Sequence, residues 1–407
     1  MIIQINNSKN QKKIFGFFLP FLPLFFISGP FLPDLLISIM AIYGLLYYFQ
    51  NKTCLINKNF FIFYLIFYFY LIFISIISPI SPRPFESSLF FIRYLFFFIT
   101  FVAVLLEYQK NDFKYFVVIF LVIFITLFFD SLLQFLTNKN ILGYKKFHPI
   151  RVSSFFGDEL ILGSFVSKFT PILLSVLMLS KIKKKLPIFF VCIVFALIMI
   201  LLSAERTALF VYCLFLLLIF IKPIANIKFK LALLSLIIFL FGTLIYSKNN
   251  LKERIIYLSL NQITQGSTLN IFSPVHASHI KTAYNIFLDK PIFGAGPRSF
   301  RYLCSEPKYN FDENSCSSHP HNYTAQLLSE TGLIGIILFL FFYFWLVFIF
   351  ITKKEVSLNI ISAGLISMFF PLIPSNNFFN NWNLGLISFN LALMLYIYSI
   401  HKKNVDL

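Results

Sequence analysis

Charge is what this chain has least of: across 407 residues, Asp, Glu, Lys and Arg together make up 12%. Soluble domains carry about twice that share, so a water-facing globular surface is excluded. No Cys-x-x-Cys pair occurs, and a structural zinc site built on that spacing is excluded with it. No small-x-small cleavage signal follows the first apolar run, so an uncleaved first span is expected instead of a removed leader. Arginine is scarce beside lysine, confined to Arg83, Arg93, Arg151, Arg206, Arg254, Arg298 and Arg301.

What fills the chain is apolar residues, 58% by count, with 58 Phe. The Phe excess accompanies abundant Ile, Asn and Lys and reads as a codon bias toward A and T. Apolar runs of about 18–22 residues recur, long enough to cross the hydrocarbon core as helices. Backbone groups in lipid must be satisfied within the segment, so the runs are helices and not strands. The expected fold is all-α, a polytopic transmembrane bundle of about twelve helices with one large periplasmic loop containing short helices. The spans are read at 14–28, 31–49, 60–77, 89–106, 115–136, 160–180, 186–202, 207–221, 231–247, 332–351, 357–373 and 383–400. Pro20, Pro23, Pro30 and Pro33 can make the first pair a kinked hairpin, which would leave eleven. The chain divides into N-terminal helices over 1–247, the loop over 248–331 and C-terminal helices over 332–407.

The formal net charge of +18 would suit a nucleic-acid binder if it were gathered on one face. It punctuates the apolar runs instead, so the partner is a lipid bilayer and no nucleic acid is expected. Lys9, Lys12 and Lys13, then Lys52, Lys58, Lys110, Lys114, Lys181, Lys183, Lys184, Lys185, Lys222, Lys228, Lys230, Lys353, Lys354, Lys402 and Lys403 all fall in alternate connections. The positive-inside rule makes that side cytoplasmic, with both termini inside. Loops at 78–88, 137–159, 203–206, 248–331 and 374–382 are then external, and no arginine is cytoplasmic. The planar guanidinium fork grips phosphate or carboxylate in a bidentate way. Ordinary loop salt bridges would explain any one of these arginines; the set favours an external anionic ligand.

The sharpest local pattern is "SSHPHNYTAQLLSETGLIGIILFL" over 317–340. Pro320 separates His319 from His321 and breaks helical geometry there. Asn322, Gln326 and Glu330 then recur every four residues, a polar stripe that should face a wet cavity or the bundle interior. Gly332 and Gly335 suit close helix approach. A second cluster, "YKKFHPIRVSSFFGDELILGSF", carries Arg151, Asp158 and Glu159; "SAERTALF" holds Glu205 and Arg206 in a short external turn. Asp130 and Gln134 lie near the external end of the fifth span. Asp130 is a functional candidate, with a structural partner such as Arg93 as the equal alternative. In the large loop His276 and His279 share one face of an expected helix, and Gly294-Ala295-Gly296 turns the chain back toward Arg298 and Arg301. Cys304 and Cys316, in an oxidising space, are expected to form a disulfide closing a short loop, in preference to a zinc site shared with histidines.

These pieces together resemble the O-antigen ligase and polymerase superfamily of bacterial surface-polysaccharide enzymes. The ligases carry His, then Asn, Ser or Gln, nine residues, Gly, two residues, and Gly, Thr or Tyr; His321, Asn322, Gly332 and Gly335 match. "SAERTALF" looks like the family's Arg-containing turn, and "RVSSFFGDELILGSF" like its Arg-Gly-acidic segment. "DKPIFGAGPRSF" looks like the segment before the histidine. The resemblance covers most of 130–345. It departs at the loop helix, where the ligases have an Arg and this chain offers His276, His279 and Lys281.

The resemblance implies glycan transfer from undecaprenyl diphosphate to an acceptor hydroxyl, such as a sugar of the lipid A core, at the periplasmic face of the inner membrane. It implies His321 as the group that accepts or orients the attacking proton. Arg206 comes first for the diphosphate, then Arg151, then Arg298 or Arg301, with His276, His279, His319 and Gln326 nearby. Asn322 and Glu330 would hold the histidine and the acceptor. No Asp-x-Asp occurs, so a metal-dependent nucleotide-sugar transferase is disfavoured, and neither metal nor cofactor is expected. A repeat-unit polymerase or a protein O-oligosaccharyltransferase would use the same donor. A transporter is the non-enzyme alternative, set against by the absence of repeated halves and by polar residues gathered at one membrane face.

Overall fold

The computed structural model describes residues 8–51, 55–80, 82–108, 113–224, 226–247, 252–257, 260–261 and 272–405. Lys52, Lys110 and the first stretches of the expected large loop (248–251, 258–259 and 262–271) lie outside the described residues. The regular structure described is helical. Its only bridges are isolated ones, Lys139 with Lys145 and Asn322 with Pro374.

The N-terminal run is interrupted, as its prolines dictate. Helix α1 (Ser8–Phe18) gives way to a 3-10 turn at Leu19–Phe21 and a short α2 (Leu22–Ile27). Pro20 and Pro23 each remove an amide donor, so no continuous helix crosses there. Pro33 is tolerated because it falls in the first turn of α3 (Phe31–Asn51). Then come α4 (Lys58–Ile76), α5 (Arg83–Leu89) running on through a 3-10 turn into α6 (Arg93–Leu106), and α7 (Phe113–Thr137). Helices α8 (Leu162–Leu179), α9 (Lys185–Ser203), α10 (Arg206–Ile221) and α11 (Ile227–Ser247) follow. The loop contributes α12 (Pro274–Asp289) and α13 (Phe300–Leu303). The chain closes with α14 (Tyr323–Thr352), α15 (Val356–Met368) and α16 (Asn381–Val405).

Eight of the described spans are long and apolar enough to cross a membrane. Three shorter apolar helices, Arg206–Ile221, Lys230–Phe239 and Val356–Met368, accompany them. The molecule is therefore a polytopic helical bundle. The expected first span, 14–28, is broken by its prolines, and the expected 357–373 ends at Met368, ahead of Pro371.

Helices α8 and α16 run through the middle, enclosed on nearly all sides, while α4 and α14 turn apolar side chains outward. Ile66, Phe69, Phe73, Phe341, Phe344 and Phe348 are exposed large hydrophobics of that outward kind. Such a surface is tolerable only against lipid. Inward, Phe120 meets Phe169 and Phe389 edge-on, and Phe101 meets Phe389 in the same way. The Phe-rich composition thus supplies both the packing and the lipid face.

Two features position the site. First, the loop 138–157 is fastened to α7. Asp130 Oδ1 accepts the Ile141 N–H at 2.7 Å, Asp130 Oδ2 accepts the Ser154 hydroxyl, and Gln134 Oε1 accepts the N–H groups of Ser153 and Ser154 at 3.0 and 2.7 Å. Asp130 is therefore a structural anchor. Its expected partner Arg93 pairs with Asp34 instead, at 2.7 Å.

Second, α14 breaks at Gly332 (φ 63°, ψ −165°), and the loop fills the break. Ser329 and Glu330 carbonyls accept the N–H groups of Ala295 and Gly296, both at 2.9 Å. The Leu333 and Ile334 N–H groups go to the carbonyls of Pro291 and Ile292. The Thr331 carbonyl takes the Tyr70 hydroxyl at 2.5 Å. Three carbonyls and two N–H groups of the broken turn are thereby matched, as irregular backbone inside a bundle requires. Gly332 is needed for more than close helix approach: a Cβ there would lie 2.3 Å from the Ile292 carbonyl oxygen.

Candidate active site

His321 is held from both sides. Pro320 precedes it, its own backbone sits at φ 54°, and its carbonyl accepts the Ser375 N–H at 2.8 Å. A left-handed backbone is uncommon for a residue with a side chain, and such residues gather at functional sites. Asn322 caps α14 by accepting the Ala325 N–H at 2.9 Å, and its amide donates to the carbonyls of Pro371 and Ile373. This brings the segment after α15 against the histidine. Asn322 therefore holds His321 in place through the backbone, and its own side-chain bonds are spent on the cap and on that segment.

Four histidines converge. The His321 ring centroid lies 5.1 Å from His276, 5.3 Å from His279 and 4.0 Å from His319. Ser273 caps α12 and sets the helical face that carries His276 and His279. Ser278 ties that helix to Asp312 at 2.6 Å. Burial, then the neighbouring imidazoles, push His321 down to about 3; burial, with Arg301 and then His279 and His276, pushes His319 down to about 4 against a hydrogen bond at the Ser375 backbone. His276 is lowered by burial, then by His279 and Arg206; His279 is lowered by burial, with Asp312 acting against it. Burial thus favours the neutral form of each ring. Among the described residues no group of three or more His, Cys, Asp or Glu side chains is placed to hold a metal ion.

His321 and His276 open onto a cavity of about 370 Å³, whose wall also carries Arg151, Arg206, Arg254, Lys168 and Glu205. The Ser203–Arg206 turn organises this wall. Ala204 takes a left-handed backbone (φ 51°), which brings Glu205 over the start of α8. There Glu205 accepts the Gly163 and Ser164 N–H groups at 2.8 and 3.2 Å. A carboxylate at a helix N-terminus satisfies donors and complements the dipole. Burial pushes Glu205 up to about 7 against the pull of Arg151, the two N–H groups and Lys168. Arg151 donates to the Leu160 carbonyl at 2.8 Å and the Ser203 carbonyl at 3.2 Å, with Glu205 at 3.8 Å. Arg254 donates to the Ala204 carbonyl at 3.2 Å. Four cationic side chains face one carboxylate, so the cavity is built for an anion.

The structure brings together Arg151, Arg206, His276 and His321 on this wall, with His279 and His319 behind His321. Five other expected site residues lie off this wall. Arg298 lines a separate cavity of about 230 Å³ with Glu86, Ser87 and Arg93. Arg301 reaches the Ser318 carbonyl at 3.4 Å. Glu330 is fully buried and accepts the backbone N–H groups of Arg298 and Phe300, while Gln326 bridges Glu330 to Asn377. These two latch the loop to α14. They lie outside the cavity wall, as does Asn322. Cys304 and Cys316 form the expected disulfide, with Cα atoms 4.9 Å apart.

Sequence reasoning passed over Arg254, Lys168 and Tyr323. Arg254 belonged to the external arginine set but had no motif to single it out. Lys168 carried a usable signal, a lone cation inside an apolar run. Tyr323 had none.

Residues 190–340 match the family model described as O-antigen ligase. No curated protein matches the chain. The matched stretch contains Arg206, Arg254, the histidine quartet, Gly332 and Gly335, while Arg151 and Lys168 precede it. Over that stretch the match supports the O-antigen ligase and polymerase superfamily, and the apolar helices around it make the chain a multi-pass bundle.

Proposed function

We propose that this protein transfers a glycan from undecaprenyl diphosphate to an acceptor hydroxyl, with a sugar of the lipid A core as the acceptor. The observation that carries this reading is that His321 shares one cavity with Arg151, Arg206 and Arg254. The acceptor oxygen attacks the anomeric carbon, forming a new C–O bond as the bond from that carbon to the diphosphate oxygen breaks. The hydroxyl proton passes to neutral His321, a contribution of about 10²–10⁴-fold. The leaving diphosphate gains negative charge, and guanidinium groups already in position stabilise it. Cationic side chains here take the part that a divalent metal plays in other diphosphate chemistry. On the lysine pattern the cavity end is periplasmic and both termini are cytoplasmic in the bacterial inner membrane.

The test uses His321→Ala and Arg206→Ala in a strain lacking the native gene. Loss of polymer from the lipid A core in both is expected; normal attachment in both would sink the assignment. A repeat-unit polymerase would instead leave single units on the core, and a protein O-oligosaccharyltransferase would leave proteins without glycan.

A further inference from the structure

Lys168 stands on α8, the most enclosed of the eight long spans, and is only 7% exposed. A charge at that position is costly and calls for a counter-charge. Among the described residues no carboxylate stands within ion-pair distance of it, and Glu205 acts on it only from across the cavity. The ammonium donates to Asn383 Oδ1 at 2.7 Å and to Ser164 Oγ at 3.3 Å, both neutral acceptors. Glu205 shares its cavity, but that carboxylate is engaged by Arg151 and by the Gly163 and Ser164 N–H groups. Asn383 is itself fixed, donating to the Tyr323 hydroxyl at 2.7 Å and the Asn377 carbonyl at 3.2 Å. The ammonium is therefore aimed and not merely accommodated, with donor capacity left over on the cavity side.

Position along α8 adds to this. Arg151 reaches the Leu160 carbonyl just before the helix starts. Lys168 lies six residues into it, about 9 Å along the axis, and leans back one turn to Ser164. The cavity thus has a tier of arginines at its loop end and one ammonium beneath them.

We infer that Lys168 selects a lipid diphosphate over a lipid monophosphate, the arginines holding one phosphate and the ammonium the other. This rests on the function proposed above. The test measures binding of undecaprenyl diphosphate and undecaprenyl monophosphate to the purified full chain in nanodiscs. The wild type is expected to prefer the diphosphate, and Lys168→Gln to narrow the preference by about ten- to a hundredfold, the size of a charge-assisted hydrogen bond. Lys168→Arg should keep most of it. Arg206→Ala should weaken both lipids while leaving the preference in place. An unchanged preference in Lys168→Gln overturns the inference and leaves the proposed function standing. A wild type that binds neither lipid overturns both. If Lys168→Gln does not fold, Asn383→Ala removes the acceptor that aims the ammonium and should narrow the same preference; no change there also overturns the inference.

Discussion

Glu330 Oε2 accepts the backbone N–H of Arg298 at 2.9 Å, fastening the loop to a fully buried carboxylate of α14. Its other oxygen accepts the Phe300 N–H at 3.1 Å. Arg298 sits at φ 61°, a conformation that an arginine holds only when its surroundings impose it. The motif residue is thus the latch that sets the loop, and through the loop the histidines that follow it.

Glu330→Ala leaves two N–H groups without an acceptor and should cost about 2 kcal/mol or more. We expect a lower melting temperature and faster proteolysis between α12 and α14. Glu330→Gln retains one acceptor oxygen and should fall between. Melting and digestion equal to wild type in Glu330→Ala would refute the latch.

Gly332→Ala meets two obstacles at once, a positive φ and a Cβ placed 2.3 Å from the Ile292 carbonyl oxygen. A strained backbone costs about 1–3 kcal/mol before any clash is counted. Gly242 has nothing within 4 Å of its added Cβ, so Gly242→Ala is the control and should be nearly neutral. Thermal unfolding of the two variants in the same detergent gives the comparison. Equal melting points would remove the close approach as the reason for this glycine.

The histidine quartet makes stability depend on pH with a definite sign. His321 stands at about 3 and His319 at about 4, both below the ordinary 6.5. Between those limits the unfolded chain binds more protons than the folded one, so stability is present above pH 6.5 and is lost as pH falls toward 3. His321→Gln should flatten that slope in melting curves taken across the window. Pyrophosphate in the cavity adds negative charge beside the ring and should move its titration upward, which ring-proton NMR can follow. An unmoved titration with pyrophosphate bound would separate the histidine from the anion site.

The histidine and its following glycines were readable from 317–340 alone, because Pro320 and a four-residue polar spacing are local signals. Arg206 was readable because its turn is too short to go anywhere else. The places of Arg298 and Arg301 were not readable: Arg301 reaches the Ser318 carbonyl beside His319, and Arg298 lines a different cavity. They lie close to the histidine along the loop, yet the turn through Gly294 and Gly296 docks into the break in α14 and leaves Arg298 in another cavity. The structural alternative for Asp130 holds, with the Ile141 N–H and the Ser154 hydroxyl as its partners in place of Arg93, and these carry no sequence signature.

By itself the sequence determined the bundle and the chemical kind of its site. Apolar length forces helices, lysine spacing orders the connections, and a histidine beside a polar stripe marks one helix start. Only the tertiary structure decided which cations face that histidine. Arg254 and Lys168 come from separate segments and meet Arg151 and Arg206 through contacts that span tens to hundreds of residues. Helical periodicity carries no record of such contacts, because it reports which face a side chain takes and not what stands opposite.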